Sequence, residues 1–244
     1  GARPDGLNIN RHSGAPHPER LAPRVLATKA NLGLAFDGDG DRLIAVDEAG
    51  EVRDGDYALA ICGRHLGAGG RLKGDVVVTT VMANLGLDKA LGAKGIRTVK
   101  TQVGDRYVLE EMSKLGASLG GEQSGHLLFL DHAPTGDGML SALQLLAVMR
   151  ETGQPFSALA ACMSKFPQVL MNVAVREKPA LESISGLAAR LAARESEMGP
   201  AGRILLRYSG TENLARVMVE GEDRSHIESV AAELSGIIKK AIGS

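Results

Sequence analysis

The chain has 244 residues, a length that suits one large domain or two to three small ones. It is 44% hydrophobic and 23% charged, with a formal net charge of −1, so bulk charge draws it neither to nucleic acid nor to an anionic membrane. Aromatics are 3% and Trp is absent, which argues against a base-stacking surface, and no run approaches the ~18 apolar residues of a membrane span.

The opening stretch, GARPDGLNINRHSGAPHPERL, is polar and turn-rich, and the expectation is a piece of a longer protein that begins inside a domain. Apolar runs at 32–36 and 43–46 read as short buried strands flanking three alternating aspartates. A turn at 48–51 precedes a helix at 55–66, a strand at 75–82, a helix at 84–93, a strand at 96–102 and a helix at 104–115. Residues 118–130 read as a loop and a strand, 136–151 as a strongly apolar helix and 156–163 as a second helix. This alternation predicts an α/β layer architecture. Cys62 and Cys162 fall in apolar helical stretches and read as buried thiols of a cytoplasmic protein.

The pattern changes at a boundary near 165–168. A strand at 169–175, an amphipathic helix at 180–197 and strands at 203–208 and 214–220 follow. A last helix at 225–242 carries Ile227, Val230, Leu234, Ile237 and Ile238 on one face. These elements predict a small, separate α+β domain.

Three loops carry chemistry. In LAFDGDGDRLIAVD, glycines let Asp37, Asp39 and Asp41 wrap a common centre, where they would repel one another without a cation; a hard ion such as Mg²⁺ resolves the conflict. An EF-hand loop is excluded, because Arg42 stands where that loop needs glycine and the flanks read as strands. Arg42 suggests that an anion such as phosphate shares the site. LGGEQSGH at 119–126 gathers a carboxylate, an amide, a hydroxyl and an imidazole, a mixture that suits sugar hydroxyls or, more blandly, an ordinary polar connection. LRYSGTENLAR at 206–216 offers Arg207, Ser209, Thr211 and Arg216 around Gly210, either a phosphate cradle without a Walker lysine or a polar hairpin turn. In TQVGDRYV, Gly104 and Asp105 can cap a helix, and Arg106 in its first turn is unfavourable unless it serves a ligand.

A metal loop, a sugar-like loop and a phosphate loop, in that order, point to phosphoryl transfer on a phosphosugar. DGDGDR at 37–42, GGEQSGH at 120–126 and RYSGTE at 207–212, with VGDRYV at 103–108 and the stretch 4–10, resemble the α-D-phosphohexomutase superfamily over essentially the whole chain. The resemblance implies mixed α/β domains followed by a C-terminal α+β domain like the TATA-binding protein. It divides the chain into 1–52 (the end of a second domain, with the metal loop), 53–166 (a third, with the sugar loop) and 167–244 (a fourth, with the phosphate loop).

The same resemblance implies Mg²⁺ on Asp37, Asp39 and Asp41, and sugar contacts from Glu122, Ser124 and His126, with Arg42 and Arg106 facing the substrate. Phosphate would be held by Arg207, Ser209, Gly210, Thr211, Asn213 and Arg216. The implied reaction is ping-pong-like: a phosphoserine gives its phosphoryl group to one end of glucosamine phosphate and takes one back from the other end of the 1,6-bisphosphate. By resemblance only, Gln123 implies the amino sugar; a mutase of mannose or glucose phosphates and a non-catalytic phosphosugar-binding piece are the alternatives. The family's Ala-Ser-His-Asn serine loop is not in this sequence, so no nucleophile is expected here and Arg42 is only supporting. SGAPHPE at 13–19 stands where the family has Cys-Gly-Ser-Thr-His-Pro-Glu, which leaves that loop without a role.

Overall fold

The computed structural model describes residues 6–210 and 212–244, in two compact units, 1–164 and 165–244. In the first unit, α1 (Ala22–Thr28) leads into an antiparallel meander of β1 (Leu32–Phe36), β2 (Leu43–Asp47) and β3 (Val52–Arg53). The helix α2 (Gly55–Ala68) follows, started by the Asp54 side chain, which accepts a hydrogen bond from the Asp56 N–H. Then come β4 (Val76–Thr80), α3 (Leu85–Gly92, capped by Asn84), β5 (Arg97–Thr101), α4 (Asp105–Leu115), β6 (Leu119–Gly121) and β7 (Leu127–Phe129). Two helices, α5 (Gly138–Thr152) and α6 (Phe156–Ala160), complete the unit.

The second sheet of this unit has the order β5-β4-β6-β7, with β4 parallel to β5 and to β6 and β7 antiparallel to β6. Every residue of β4 is buried. Val77 packs in a core with α2, α3, α5 and α6, while Val76 and Val78 pack with Val108 and Met112 of α4. The two-residue period of a strand thus fills both faces, as in a sheet covered on each side. β4 continues into β5 on one side and β6 lies on the other, so the loops leaving the carboxyl ends of β4 and β6 diverge. That is where open α/β sheets form ligand crevices.

In the second unit, β8 (Gln168–Ala174), α7 (Leu187–Met198), β9 (Gly202–Tyr208), β10 (Leu214–Gly221) and α8 (Arg224–Ile242) form an antiparallel sheet of order β8-β10-β9 with two helices. Val217 and Val219 of β10 and Ile227, Val230, Leu234 and Ile238 of α8 share one core. Asp223 caps α8 through the Ser225 and His226 N–H groups. No helix among the described residues is long and apolar enough to cross a membrane.

Four differences from the sequence expectation have local causes. The helix expected over 180–197 begins only at Leu187, because Gly186 at φ 78° breaks it from a 3₁₀ turn at Leu181–Ser183. The span 118–130 holds two strands, not one, paired as a hairpin. The helix expected over 156–163 stops at Ala160, so Cys162 lies outside it and is only partly buried, whereas Cys62 is buried within α2. Nothing in the sequence signals α1 or β3; α1 buries only Val25, too little for a periodic pattern, and β3 has two residues.

Candidate functional site

β1 and β2 pair as far as Phe36 and Leu43, leaving residues 37–42 as the connecting loop. Gly40 takes φ 76° there. One ligand atom from each of Asp37, Asp39 and Asp41 lies within 4.8 Å of the others. The Arg42 N–H donates to Asp37 Oδ1 at 3.1 Å, and the Arg42 Nε is 3.7 Å from Asp37 Oδ2 and 4.0 Å from Asp41 Oδ1. Burial pushes the Asp41 carboxyl up, and the Asp37 carboxylate beside it adds to the rise. Burial acts the same way on Asp37, but hydrogen bonds from the Arg42 N–H and from Asp41 outweigh it and bring Asp37 below the usual range. The two carboxyls are therefore pushed apart, as crowded like charges are. Asp41 Oδ1 is buried and has no hydrogen-bond partner among the described residues. Converging carboxylate oxygens, one of them orphaned, fit a hard divalent cation such as Mg²⁺.

The aspartate loop and the start of β2 are docked on the loop at 119–126 by direct hydrogen bonds. The Leu43 N–H donates to the Gly125 carbonyl at 2.9 Å, and Arg42 forms an antiparallel bridge with His126. Gly125 has φ 93°, and a Cβ there would lie 2.2 Å from the Leu43 carbonyl oxygen, so glycine is required. The first residue of α5 clamps the other side: the Gly138 N–H donates to the Gly40 carbonyl at 2.9 Å. His126 Nδ1 is 3.0 Å from Asp41 Oδ2 and its side chain is 8% exposed. The structure thus places His126 against the aspartate loop, within hydrogen-bond distance of Asp41.

Of the other residues of GGEQSGH, Gly120 and Gly121 end β6, and Glu122–Gly125 form the turn toward β7. Glu122 Oε1 accepts the Gly104 N–H at 2.9 Å, and Ser124 Oγ is 3.4 Å from Glu122 Oε2. Glu122 and Ser124 line a cavity of about 370 Å³ with Asp54, Thr80, Met82 and Val103, at the diverging carboxyl ends of β4 and β6. Gln123 also borders it, but its side-chain amide turns inward and donates to Asp56 Oδ2 at 2.9 Å. Asp54, Thr80 and Met82 were not among the expected site residues; only the strand order brings them to this crevice. Arg106 is on an exposed face of α4, paired at 2.8 Å with Glu110.

In the second unit, residues 209–213 connect β9 to β10. The register sets Arg207 directly opposite Arg216 and Tyr208 opposite Ala215. Like charges at facing positions destabilise a sheet unless something neutralises them. Burial lowers the Arg207 pKa from its ordinary value, and Arg216 lowers it further. Arg216 reaches Glu212 at 3.0 Å and Ser209 Oγ at 3.5 Å, while its buried Nε has no hydrogen-bond partner among the described residues. Lys178 Nζ donates to the Ser209 carbonyl at 2.8 Å. Gly210 is exposed with open space around it, and Asn213 is exposed, its carbonyl accepting the Val175 N–H at 3.0 Å. Thr211, like residues 4 and 5 of the N-terminal stretch, lies outside the described residues.

Family models match both units. "Phosphoglucomutase/phosphomannomutase, alpha/beta/alpha domain III" matches residues 54–166, and the C-terminal domain of the same family matches 170–237. The chain belongs to the phosphoglucomutase/phosphomannomutase family. A phosphoglucosamine mutase of Oceanobacillus iheyensis is 53% identical over 244 residues, 100% of this chain and 55% of the relative. One of Bacillus subtilis is 51% identical over 243 residues, covering 54% of the relative. The chain thus spans about half the length of the curated relatives it matches. Among solved structures, the N-acetylphosphoglucosamine mutase of Aspergillus fumigatus, in complex with GlcNAc-6P and magnesium, superposes with a TM-score of 0.78 at 23% identity, over 99% of this chain and 55% of that one. At that identity the likeness shows the fold, which is the phosphohexomutase fold of mixed α/β units.

Proposed function

We propose that this chain supplies the metal, sugar and phosphate loops of a phosphoglucosamine mutase, which interconverts glucosamine 6-phosphate and glucosamine 1-phosphate through the 1,6-bisphosphate. The observation that carries the reading is the convergence of Asp37, Asp39 and Asp41 within 4.8 Å, on a chain about half identical to proteins named phosphoglucosamine mutase. Asp37, Asp39 and Asp41 would hold Mg²⁺, which when bound stabilises charge on a phosphoryl group in transfer. Magnesium and GlcNAc-6P in the Aspergillus fumigatus relative, and glucose 1,6-bisphosphate in another structure of it, support these ligand classes.

Arg42, beside two of the acids, would meet the anionic substrate. Glu122 and Ser124 would bind sugar hydroxyls in their cavity, with Arg106 reaching the substrate from α4. Arg207, Ser209, Gly210, Thr211, Asn213 and Arg216 would hold the phosphate that is not reacting. His126 would act through Asp41. The division into 1–52, 53–166 and 167–244 and a cytoplasmic location belong to the same reading.

Ser124 and Ser209 are poor nucleophiles in this arrangement. Both sit in loops read as holding ligand, and Ser209 is 4% exposed beneath Arg216. The purified 244-residue chain, with Mg²⁺ and a catalytic amount of the bisphosphate, is therefore expected to bind glucosamine 6-phosphate without turning it over. Calorimetry and ¹⁵N NMR titration test this. Saturable shifts at Glu122–His126 with glucosamine 6-phosphate, stronger than with glucose or mannose 6-phosphate, are expected. Equal or weaker binding of the amino sugar overturns the substrate assignment, and absence of all three overturns the phosphosugar reading.

A further inference from the structure

Asp56 is 0% exposed and belongs to neither the metal loop nor the cavity lining. Its Oδ2 accepts two hydrogen bonds, from Gln123 Nε2 at 2.9 Å and from the Asn84 N–H at 2.9 Å. The next residue back, Gly55, donates its N–H to the Gln123 carbonyl at 3.0 Å. A Cβ on Gly55 would lie 2.1 Å from the Glu122 carbonyl oxygen, so the start of α2 is pressed against the sugar loop. One carboxylate oxygen therefore ties together three segments: the α2 N-terminus, the loop after β4 and the β6–β7 turn. All three contribute to the same cavity, through Asp54, through Thr80 and Met82, and through Glu122 and Ser124.

A buried carboxylate is a costly means of filling space, and a well-packed apolar side chain is often as stable or more so. What an apolar side chain cannot do is hold an amide in one orientation. Gln123 stands between Glu122 and Ser124, so a clamp on its side chain and its carbonyl limits where both neighbours point. We propose that Asp56 is a positioning residue for sugar recognition, acting through Gln123 to hold Glu122 and Ser124 toward the cavity. This rests on the phosphosugar reading for what the loop binds, but not for the clamp itself.

The test uses the whole chain and two readouts. The first is hydrogen exchange without ligand at three amides that report the turn: Glu122 (to the His126 carbonyl), Gly125 (to the Glu122 carbonyl) and Gly55 (to the Gln123 carbonyl). Gln123→Met keeps length and volume and removes the donor. It is expected to speed exchange at these amides by about 10-fold or more, the factor set by one charge-assisted hydrogen bond, while β4 amides keep their protection. Asp56→Leu is expected to do the same or more. Asp56→Asn is expected to retain protection, because its amide oxygen can take the place of Oδ2 and accept from both Gln123 Nε2 and the Asn84 N–H. The second readout is the glucosamine 6-phosphate titration, in which Gln123→Met weakens the sugar-loop response by a similar factor and leaves the response of Ser209 and Gly210 to inorganic phosphate unchanged.

Wild-type protection in Gln123→Met overturns the proposal, even if Asp56→Leu unfolds the unit. So does a uniform loss of protection across the first unit in both variants, which would make the network merely structural. Loosened amides in a chain whose wild-type loop ignores glucosamine 6-phosphate would uphold the clamp and overturn the phosphosugar reading.

Discussion

The metal loop and the arginine hairpin are opposite solutions to one problem, that of holding like charges together. Asp37, Asp39 and Asp41 converge because a glycine-rich loop wraps on itself and is then clamped from outside, by Gly125 and Gly138. Arg207 and Arg216 face each other because antiparallel register leaves them no alternative. The loop needs a second element to define it, whereas the hairpin is defined by its own pairing. In both, at least one buried polar atom lacks a hydrogen-bond partner among the described residues, Asp41 Oδ1 in one and Arg216 Nε in the other. The unfinished electrostatics are of opposite sign, and under the proposed function each place takes a ligand of the other charge.

The largest effect is expected at the metal loop. Asp37→Asn, Asp39→Asn and Asp41→Asn should each weaken Mg²⁺ binding beyond calorimetric detection while circular dichroism stays unchanged. His126→Ala, which removes only the outer partner of Asp41, should cost roughly 10–100-fold in Mg²⁺ affinity. If all three aspartate variants bind Mg²⁺ normally, the two charge clusters are not comparable and the acids are an ordinary turn.

At the hairpin, Arg207→Ala should abolish the shifts that inorganic phosphate produces at the Ser209 and Gly210 amides. The wild-type affinity is expected in the millimolar range, since this site is open and meets a hydrated dianion. The same substitution should slightly raise thermal stability in phosphate-free buffer, because the facing guanidinium is relieved. A variant that loses phosphate binding and stability together would show that Arg207 is structural and that the opposed arginines store no repulsion.

A smaller effect sharpens the contrast by using a carboxylate the protein satisfies itself. Glu48 accepts the Ser157 N–H at 3.2 Å and pairs with the Ser157 hydroxyl. Burial alone would raise its carboxyl, but these hydrogen bonds hold it below the usual carboxylate range. Its contribution to stability is therefore fully present above the unfolded-state pKa and is lost as pH falls through the lower folded-state value. Glu48→Gln should flatten the acid limb of a melting-temperature profile below pH ~4.3, the ordinary Glu value, and leave Mg²⁺ binding intact. A profile unchanged by the substitution would remove Glu48 from the acid response.

The sequence by itself determined where nearly every strand and helix lies and which side-chain types are gathered in the three loops. Both depend on residue type at short spacing: a β-branched run in VVVTT, one apolar face in the last helix, aspartates separated by glycines. It was silent on α1 and β3, which bury too little to leave a pattern, and it ran a helix through Gly186 because composition cannot report a positive φ. Only the tertiary structure decided which side chains of GGEQSGH face the cavity. Glu122 and Ser124 do, His126 turns to Asp41, and Gln123 turns down to Asp56. Their partners lie 67 residues away for Gln123 and 85 for His126, and no local rule carries that information. The orientation of a polar side chain is set by the nearest group that satisfies its hydrogen bonds in a buried place, and folding alone brings those groups together.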